Sequence, residues 1–401
     1  MQKVVCPDTD RHFSTSLSDL PTALRSRIAG GLRLCRVWLS LLILTGGSSA
    51  LADDAAPGYQ LGRGYALGDT GITLGGYASA HLDAQDRNPW YFNLNSLSAF
   101  VTWDNGSKLR FFSETEAENI LTAGGNQRFS DSDTNLHFER LYLDYLATDK
   151  LSIRLGKFLT PVGQWNLIHV DPLVWTTTRP IATYNLFAPY ATGVMLQGSI
   201  PFGEQFLEFS LFNDYSSVLD PSPHPEGGKN FDNSQGLRLQ YHFDDSFKVG
   251  VSYADYALTG TANTRNHLLG FDFAWNYQRF AINSEVVYRS QNSMSPPKPL
   301  FSLSLASNPL VTRPLNPDAW QGYIQGVAPL TASLYAVGRY EFFDQPDGML
   351  YLVTRKTGQA EVFGLAYRPS PPLVFKLEYR TGKDNRYLAA DGMFASFSVL
   401  F

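Results

Sequence analysis

The stretch "LVFKLEYRTG", residues 373–382, decides the fold. On a pleated strand successive side chains point to opposite faces, so Phe375, Leu377 and Tyr379 lie on one side and Lys376, Glu378 and Arg380 on the other. Hydrocarbon tolerates the first set, whereas the second must face water. The same split recurs along the chain. Leu109 and Phe111 oppose Arg110, Glu114, Glu116 and Glu118; Leu207, Phe209 and Leu211 oppose Glu208 and Ser210; Leu237, Leu239 and Tyr241 oppose Arg238, Gln240 and His242. Ile282, Val286 and Tyr288 oppose Asn283, Glu285 and Arg289, and Leu334, Ala336, Tyr340 and Phe342 oppose Arg339 and Glu341.

Segments of this kind run near 72–83, 91–103, 108–118, 136–147, 150–158, 191–200, 205–214, 233–243, 246–257, 266–276, 278–289, 319–328, 331–342, 358–368, 372–381 and 392–401. Their connections alternate between short and long. Short ones include "DNGS" at 104–107, "TD" at 148–149, "PFGE" at 201–204, "DD" at 244–245, "PL" at 329–330 and "PSP" at 369–371. Long ones fall near 84–90, 119–135, 159–190, 215–232, 258–265, 290–318, 343–357 and 382–391. This is the organisation of an all-β, transmembrane antiparallel β-barrel of about 16 strands with short periplasmic turns and long extracellular loops. Counts of 14 or 18 are the alternatives, since 91–103 and 319–328 alternate poorly. A soluble barrel with the faces reversed has the same alternation, but at that width it needs a very large apolar filling.

Residues 1–52 read as an export signal: Arg25, Arg27, Arg33 and Arg36 precede the apolar run "VWLSLLIL" (37–44), and "ALA" (50–52) offers a cleavage site. Residues 53–71 then form a lead-in and 72–401 the barrel. Both cysteines, Cys6 and Cys35, lie within the signal, so the remainder has no disulfide and no thiolate. Of the 32 basic and 37 acidic residues, 26 and 34 lie beyond residue 52, a net charge of −8 that argues against nucleic acid. Aromatics make up 14% and charged residues only 17% of the chain, against about 25% charged in ordinary soluble domains. A bacterial outer membrane fits both figures.

The longest loop, 159–190, is too apolar for a floppy connection: Trp165, Leu167, Val174, Trp175, Phe187 and Tyr190 need something to pack against. One expectation is that it folds into the lumen and narrows a pore, presenting His169, Asp171 and Arg179 to solute. The other is that it packs across the barrel mouth or against a neighbouring subunit. The expected pore lining comprises Arg110, Glu114, Glu116, Arg140, Asp144, Arg154, Glu208, Arg238, Glu285, Arg339, Glu341, Lys376, Glu378 and Arg380. Rings of one sign select ions, whereas mutual pairing only keeps a lumen hydrated and rigid. Strand 136–147 breaks phase between Glu139 and Arg140, the mark of a bulge. No HExxH or GxSxG occurs and the histidines are scattered, so neither an enzyme, a cofactor nor a metal site is expected.

The run "RLYLDYLATDKLSIRLGKFLTPVGQWN" (140–166), whose second strand ends in Gly-x-Phe-x-x-Pro-x-Gly, resembles the Gram-negative porins of the phosphate-selective O and P type. The closing "MFASFSVLF" (393–401) resembles the signal read by the barrel-assembly machinery, with Phe397, Val399 and Phe401 in its positions. The resemblance implies a channel of about sixteen strands, usually trimeric, seated in outer-membrane lipid. The mixed charges depart from the lysine and arginine ladders of phosphate-selective members, so phosphate is not carried over. The expected function is passive diffusion of small hydrophilic solutes or ions; a non-conducting structural or adhesion barrel and a carrier for hydrophobic compounds are the alternatives.

Overall fold

The computed structural model describes residues 58–85, 88–125, 127–131, 133–168, 170–223, 230–260, 264–293, 318–349, 352–386 and 388–401. Sixteen long strands form one closed antiparallel barrel. They are β1 (Ile72–Gln85), β2 (Asn88–Asp104), β3 (Leu109–Gly124), β4 (Asn135–Thr148), β5 (Leu151–Leu159), β6 (Tyr190–Phe202), β7 (Gln205–Asp214) and β8 (Phe231–His242). The second half comprises β9 (Phe247–Leu258), β10 (Thr264–Tyr277), β11 (Phe280–Ser293), β12 (Ala319–Pro329), β13 (Leu334–Met349), β14 (Leu352–Ser370), β15 (Leu373–Lys383) and β16 (Gly392–Leu400). Each strand pairs with its neighbour in sequence, and β16 pairs with β1 to close the ring. Closure leaves no unpaired edge, which hydrocarbon would penalise heavily.

The seam extends to the last residue. Phe401 and Gly76 exchange two backbone hydrogen bonds of 2.8 Å. A Cβ on Gly76 would collide with the Ser98 carbonyl oxygen and meet the Phe401 ring at 2.9 Å, so the close packing there requires glycine.

Apolar side chains of one register parity ring the exterior: Leu97, Leu155, Leu211, Val251, Phe271, Ile324 and Phe363 are all exposed on it. The opposite parity carries the charged set. On β4 the expected bulge is present: Arg140 pairs with Glu114 and Phe138 with Thr115, leaving Glu139 as the extra residue.

Two expected long loops are instead continued ladders. β1 and β2 stay paired to Gln85 and Asn88, and β13 and β14 to Met349 and Leu352. Beyond the hydrocarbon both faces of a strand meet water, so hydrophobic alternation stops there although the hydrogen-bond ladder continues. The reading of 84–90 and 343–357 as loops followed the alternation and ended the strands too early. A short strand, Gln127–Ser130, likewise pairs back on β3 within the expected loop 119–135. Two further short strands, Tyr59–Gln60 and Gly64–Ala66, form a hairpin on β1 within the expected lead-in.

Candidate functional site

The segment between β5 and β6 turns inward and packs against the inner wall. Its neck is closed by Thr160, whose N–H donates to the Pro189 carbonyl (2.8 Å) and whose hydroxyl donates to that of Ala188 (2.7 Å). The Asn166 amide donates to the Thr160 and Pro189 carbonyls at 2.9 and 3.1 Å. The Gly-x-Phe-x-x-Pro-x-Gly run is the hinge of this entry. Phe158 is fully buried, and Gly163 has φ +63° with its Cα against the Glu285 carboxylate, where a Cβ would collide. Its N–H donates to the Ser252 hydroxyl at 3.3 Å.

Wall carboxylates then receive the loop backbone. Glu285 accepts the Trp165 N–H (2.7 Å) and the Tyr323 hydroxyl (2.8 Å). Glu341 accepts the Ile181 N–H (2.7 Å), and Glu378 accepts those of Thr177 and Thr178 (2.9 Å each). Lys376 donates to the Asp171 and Thr176 carbonyls at 2.8 and 3.2 Å. Arg339 bridges Glu341 (2.8 Å) and the hydroxyls of Thr176 and Thr178 (2.5 and 2.7 Å). These wall groups are almost wholly buried, so the loop's irregular backbone is satisfied by charge-assisted hydrogen bonds.

Apolar packing reinforces them. Trp165, Val174, Leu186 and Phe187 of the loop form one cluster with Phe212, Tyr256, Leu268, Val287 and Tyr323 of the wall. Alongside the charged residues, the inner face across β7 to β12 includes an apolar bed. Its signal was readable where both faces are apolar at once, as at Leu268–Leu269 and Val286–Val287.

Of the three residues expected to meet solute, two are engaged within the protein and His169 lies outside the described residues. Arg179 stacks on Trp165 (4.7 Å) and donates to the Asn166 side chain (2.8 Å) and the Thr183 hydroxyl (3.0 Å). Burial lowers its pKa to about 10, which leaves it charged at neutral pH. Asp171 pairs with His81 of β1 at 2.9 Å. Burial works to raise its carboxyl, but the charge and hydrogen bond of His81, with Lys376 beyond, outweigh burial and hold it below the ordinary carboxylate range. Both residues brace the loop through these contacts.

The expected lining residues share the inner parity but divide by partner. Glu285, Arg339, Glu341, Lys376 and Glu378 hold the loop. Arg380 donates to the Ala390 carbonyl (2.9 Å) and stacks on Phe394 (4.5 Å). Arg238 pairs with Asp272 through two bonds of 2.6 and 2.9 Å. At the turn ends Arg110 pairs with Asp104 (2.8 Å) and Glu208 with His242 (3.0 Å). Glu116 accepts the Tyr77 hydroxyl at 3.2 Å. Arg140 pairs with Glu114 (2.5 Å), and Arg154 with Asp144 (2.7 and 2.8 Å).

Between the loop and β4 to β7 lies a cavity of about 170 Å³. Its polar lining is Arg140, Arg154, Gln197 and Ser210; its apolar lining is Leu159, Pro161, Leu167 and Met195. A row of rings crosses the adjoining inner wall, Tyr77 to Phe100 to Phe112 to Tyr142, with centroid separations of 5.8, 5.8 and 5.3 Å.

One group among the described residues has the composition of a metal site. Oxygen and nitrogen atoms of Glu118, His137 and Glu139 lie within 4.8 Å of one another. His137 and Glu139 lie two residues apart on one strand, and the register shift at the bulge sets His137 opposite Glu116 of β3. His137 and Glu139 are joined by a 2.6 Å hydrogen bond.

No family model matches the chain. An uncharacterized protein of Aquifex aeolicus is 24% identical over 342 residues, spanning 77% of this chain and 75% of that one. Solved structures similar in fold include the trimer form of in-vitro folded OmpT, an outer membrane protein of Vibrio cholerae, at 10% identity (82% and 99% of the two chains, TM-score 0.54). The anion-selective porin of Comamonas acidovorans matches at 12% identity (82% and 99%, TM-score 0.53). The outer membrane channel DcaP of Acinetobacter baumannii matches at 12% identity (82% and 97%, TM-score 0.52). The chain thus has the fold of outer-membrane porins, and its closed barrel with an apolar exterior is that of a bacterial outer-membrane protein.

Proposed function

We propose that the protein is a porin, a channel for passive diffusion of small hydrophilic solutes or ions, narrowed by the loop between β5 and β6. One observation carries the reading. The loop is anchored to β9 through β16, while β4 to β7 keep partly exposed polar side chains facing the cavity beside it. Sixteen strands enclose more space than side chains alone fill, and an inserted loop sets the remaining cross-section. The polar groups of β4 to β7 support transport of hydrated solutes over carriage of hydrophobic compounds. The extent of the loop's wall contacts favours a second reading, a structural barrel plugged by its own loop.

Planar-bilayer recording separates them: discrete steps support the porin, and their absence with folded protein supports the plug. The same reading has residues 1–52 removed on export and Phe397, Val399 and Phe401 read by the barrel-assembly machinery. Phe401→Asp would then lower the amount of folded barrel while leaving the conductance of whatever assembles unchanged. Trimeric assembly is proposed by resemblance, supported by the trimer form of the similar Vibrio protein, and cross-linking in native membranes tests it.

A further inference from the structure

We propose that the cavity beside Arg140 and Arg154 is a binding site for small amphiphilic carboxylates, a planar anionic head on a short apolar body. The inference rests on the porin reading and names the solute class that its passage favours.

The geometry specifies the head. The Arg140 guanidinium lies 4.6 Å from the Phe112 ring centroid and 6.0 Å from that of Phe100, and Arg154 lies 3.7 Å from that of Tyr142. Stacking on these faces fixes the plane of each guanidinium. Arg140 uses its Nε on Glu114, and Arg154 uses Nε and Nη2 on Asp144, so N–H groups of both remain for a ligand. Glu114 is fully buried behind Arg140, and among the described residues no carboxylate lines the cavity. Each guanidinium already has an acidic partner, so net charge does not draw simple ions strongly. A carboxylate gains more, because its two oxygens match the guanidinium fork.

The opposite lining specifies the body. Pro161 and Leu167 of the loop and Met195 of β6 face the same space, and Leu167 is 38% exposed, an unsatisfied apolar surface inside the barrel. At about 170 Å³ the space is smaller than drug-sized pockets, which begin near ~300 Å³, so the body is short.

The test is titration calorimetry on the detergent-folded full chain with hexanoate, acetate and hexylamine. Hexanoate is expected to bind about tenfold or more tighter than acetate, because only it fills the apolar side, and hexylamine not to saturate. Arg154→Gln should weaken hexanoate and acetate alike, and Leu167→Asn should weaken hexanoate while sparing acetate. Arg154→Lys, which keeps charge and loses the fork, should fall between Arg154→Gln and the unaltered protein. Arg265→Gln, at a half-buried position on β10 paired with Asp255 and outside the cavity lining, serves as the control. Equal binding of hexanoate and acetate, saturable hexylamine binding, or indifference to both Arg154→Gln and Leu167→Asn would overturn the site. Because calorimetry does not need conduction, absent channel steps would sink the porin reading alone, and absent discrimination with steps present would sink this inference alone.

Discussion

The inner wall from β9 to β16 and the inner wall from β4 to β7 are built from the same residue types and put them to different use. On the first, Glu285, Glu341 and Glu378 are buried to 2% exposure or less, and each accepts a backbone N–H from the loop. On the second, Arg140 and Arg154 pair with acids on neighbouring strands and keep 17% and 19% of their side chains exposed toward a cavity. A carboxylate on a barrel's inner face is therefore not a selectivity group by position alone. Its partner decides, and backbone N–H groups make a structural partner that cannot be surrendered without leaving a buried charge unsatisfied.

Several substitutions can break or sharpen this contrast. Replacing residues 164–187 by a short Gly/Ser linker has the largest expected effect, a several-fold rise in single-channel conductance; an unchanged step would mean that the loop does not set the cross-section. Next, Glu285→Ala removes the acceptor of two buried hydrogen bonds, at about 3 kcal/mol together, and should lower the apparent melting temperature measurably. Gln197→Ala on the cavity wall should stay within about 0.5 kcal/mol. Equal losses would erase the distinction between the two walls.

Gly163→Ala forces a side chain into left-handed backbone, at about 1–2 kcal/mol, and drives a Cβ against Glu285. It should raise current noise as the loop loses its seat, whereas Gly338→Ala, with open space around the Cβ, should not. The smallest expected effect is at Asp171→Asn. The Asp171 carboxyl lies below its unfolded value, so its contribution is fully present above the ordinary carboxylate range and is lost only as pH falls through that depressed value. The stability gap between the Asp171→Asn variant and the unaltered protein should be widest at neutral pH and close with strong acid; a gap widening toward acid would reverse the assignment.

The barrel was legible because hydrocarbon imposes a rule with a short period. Lys376, Glu378 and Arg380 cannot share a face with Phe375, Leu377 and Tyr379, and one such strand fixes the inside for all the rest through register. The bulge at Glu139 was legible for the same reason. The ladder beyond Asp83 and Phe342 was not, since water imposes no alternation on a strand outside the membrane. The loop's apolar content foretold that it must pack on something. That its anchors are Glu285, Glu341 and Glu378 was not readable, because their partners are backbone N–H groups 120, 160 and 200 or more residues away and a backbone donor leaves no mark in sequence. Arg179 misled in the same way: a charge in a loop reads as a ligand for solute, and only the rings of Trp165 and Tyr184 around it show that it is internal.

The central claim, that the loop covers one wall and leaves the other open, can be tested by cysteine accessibility, since both cysteines of the sequence lie before residue 53 and no other thiol competes. Single Gln197→Cys and Gln321→Cys variants, on the cavity wall and beneath the loop respectively, would be treated with a charged, water-soluble thiol reagent while current is recorded. The account predicts rapid modification at 197 with a drop in conductance, and none at 321, whose side chain is fully buried. Fast modification at 321 with protection at 197 would contradict it.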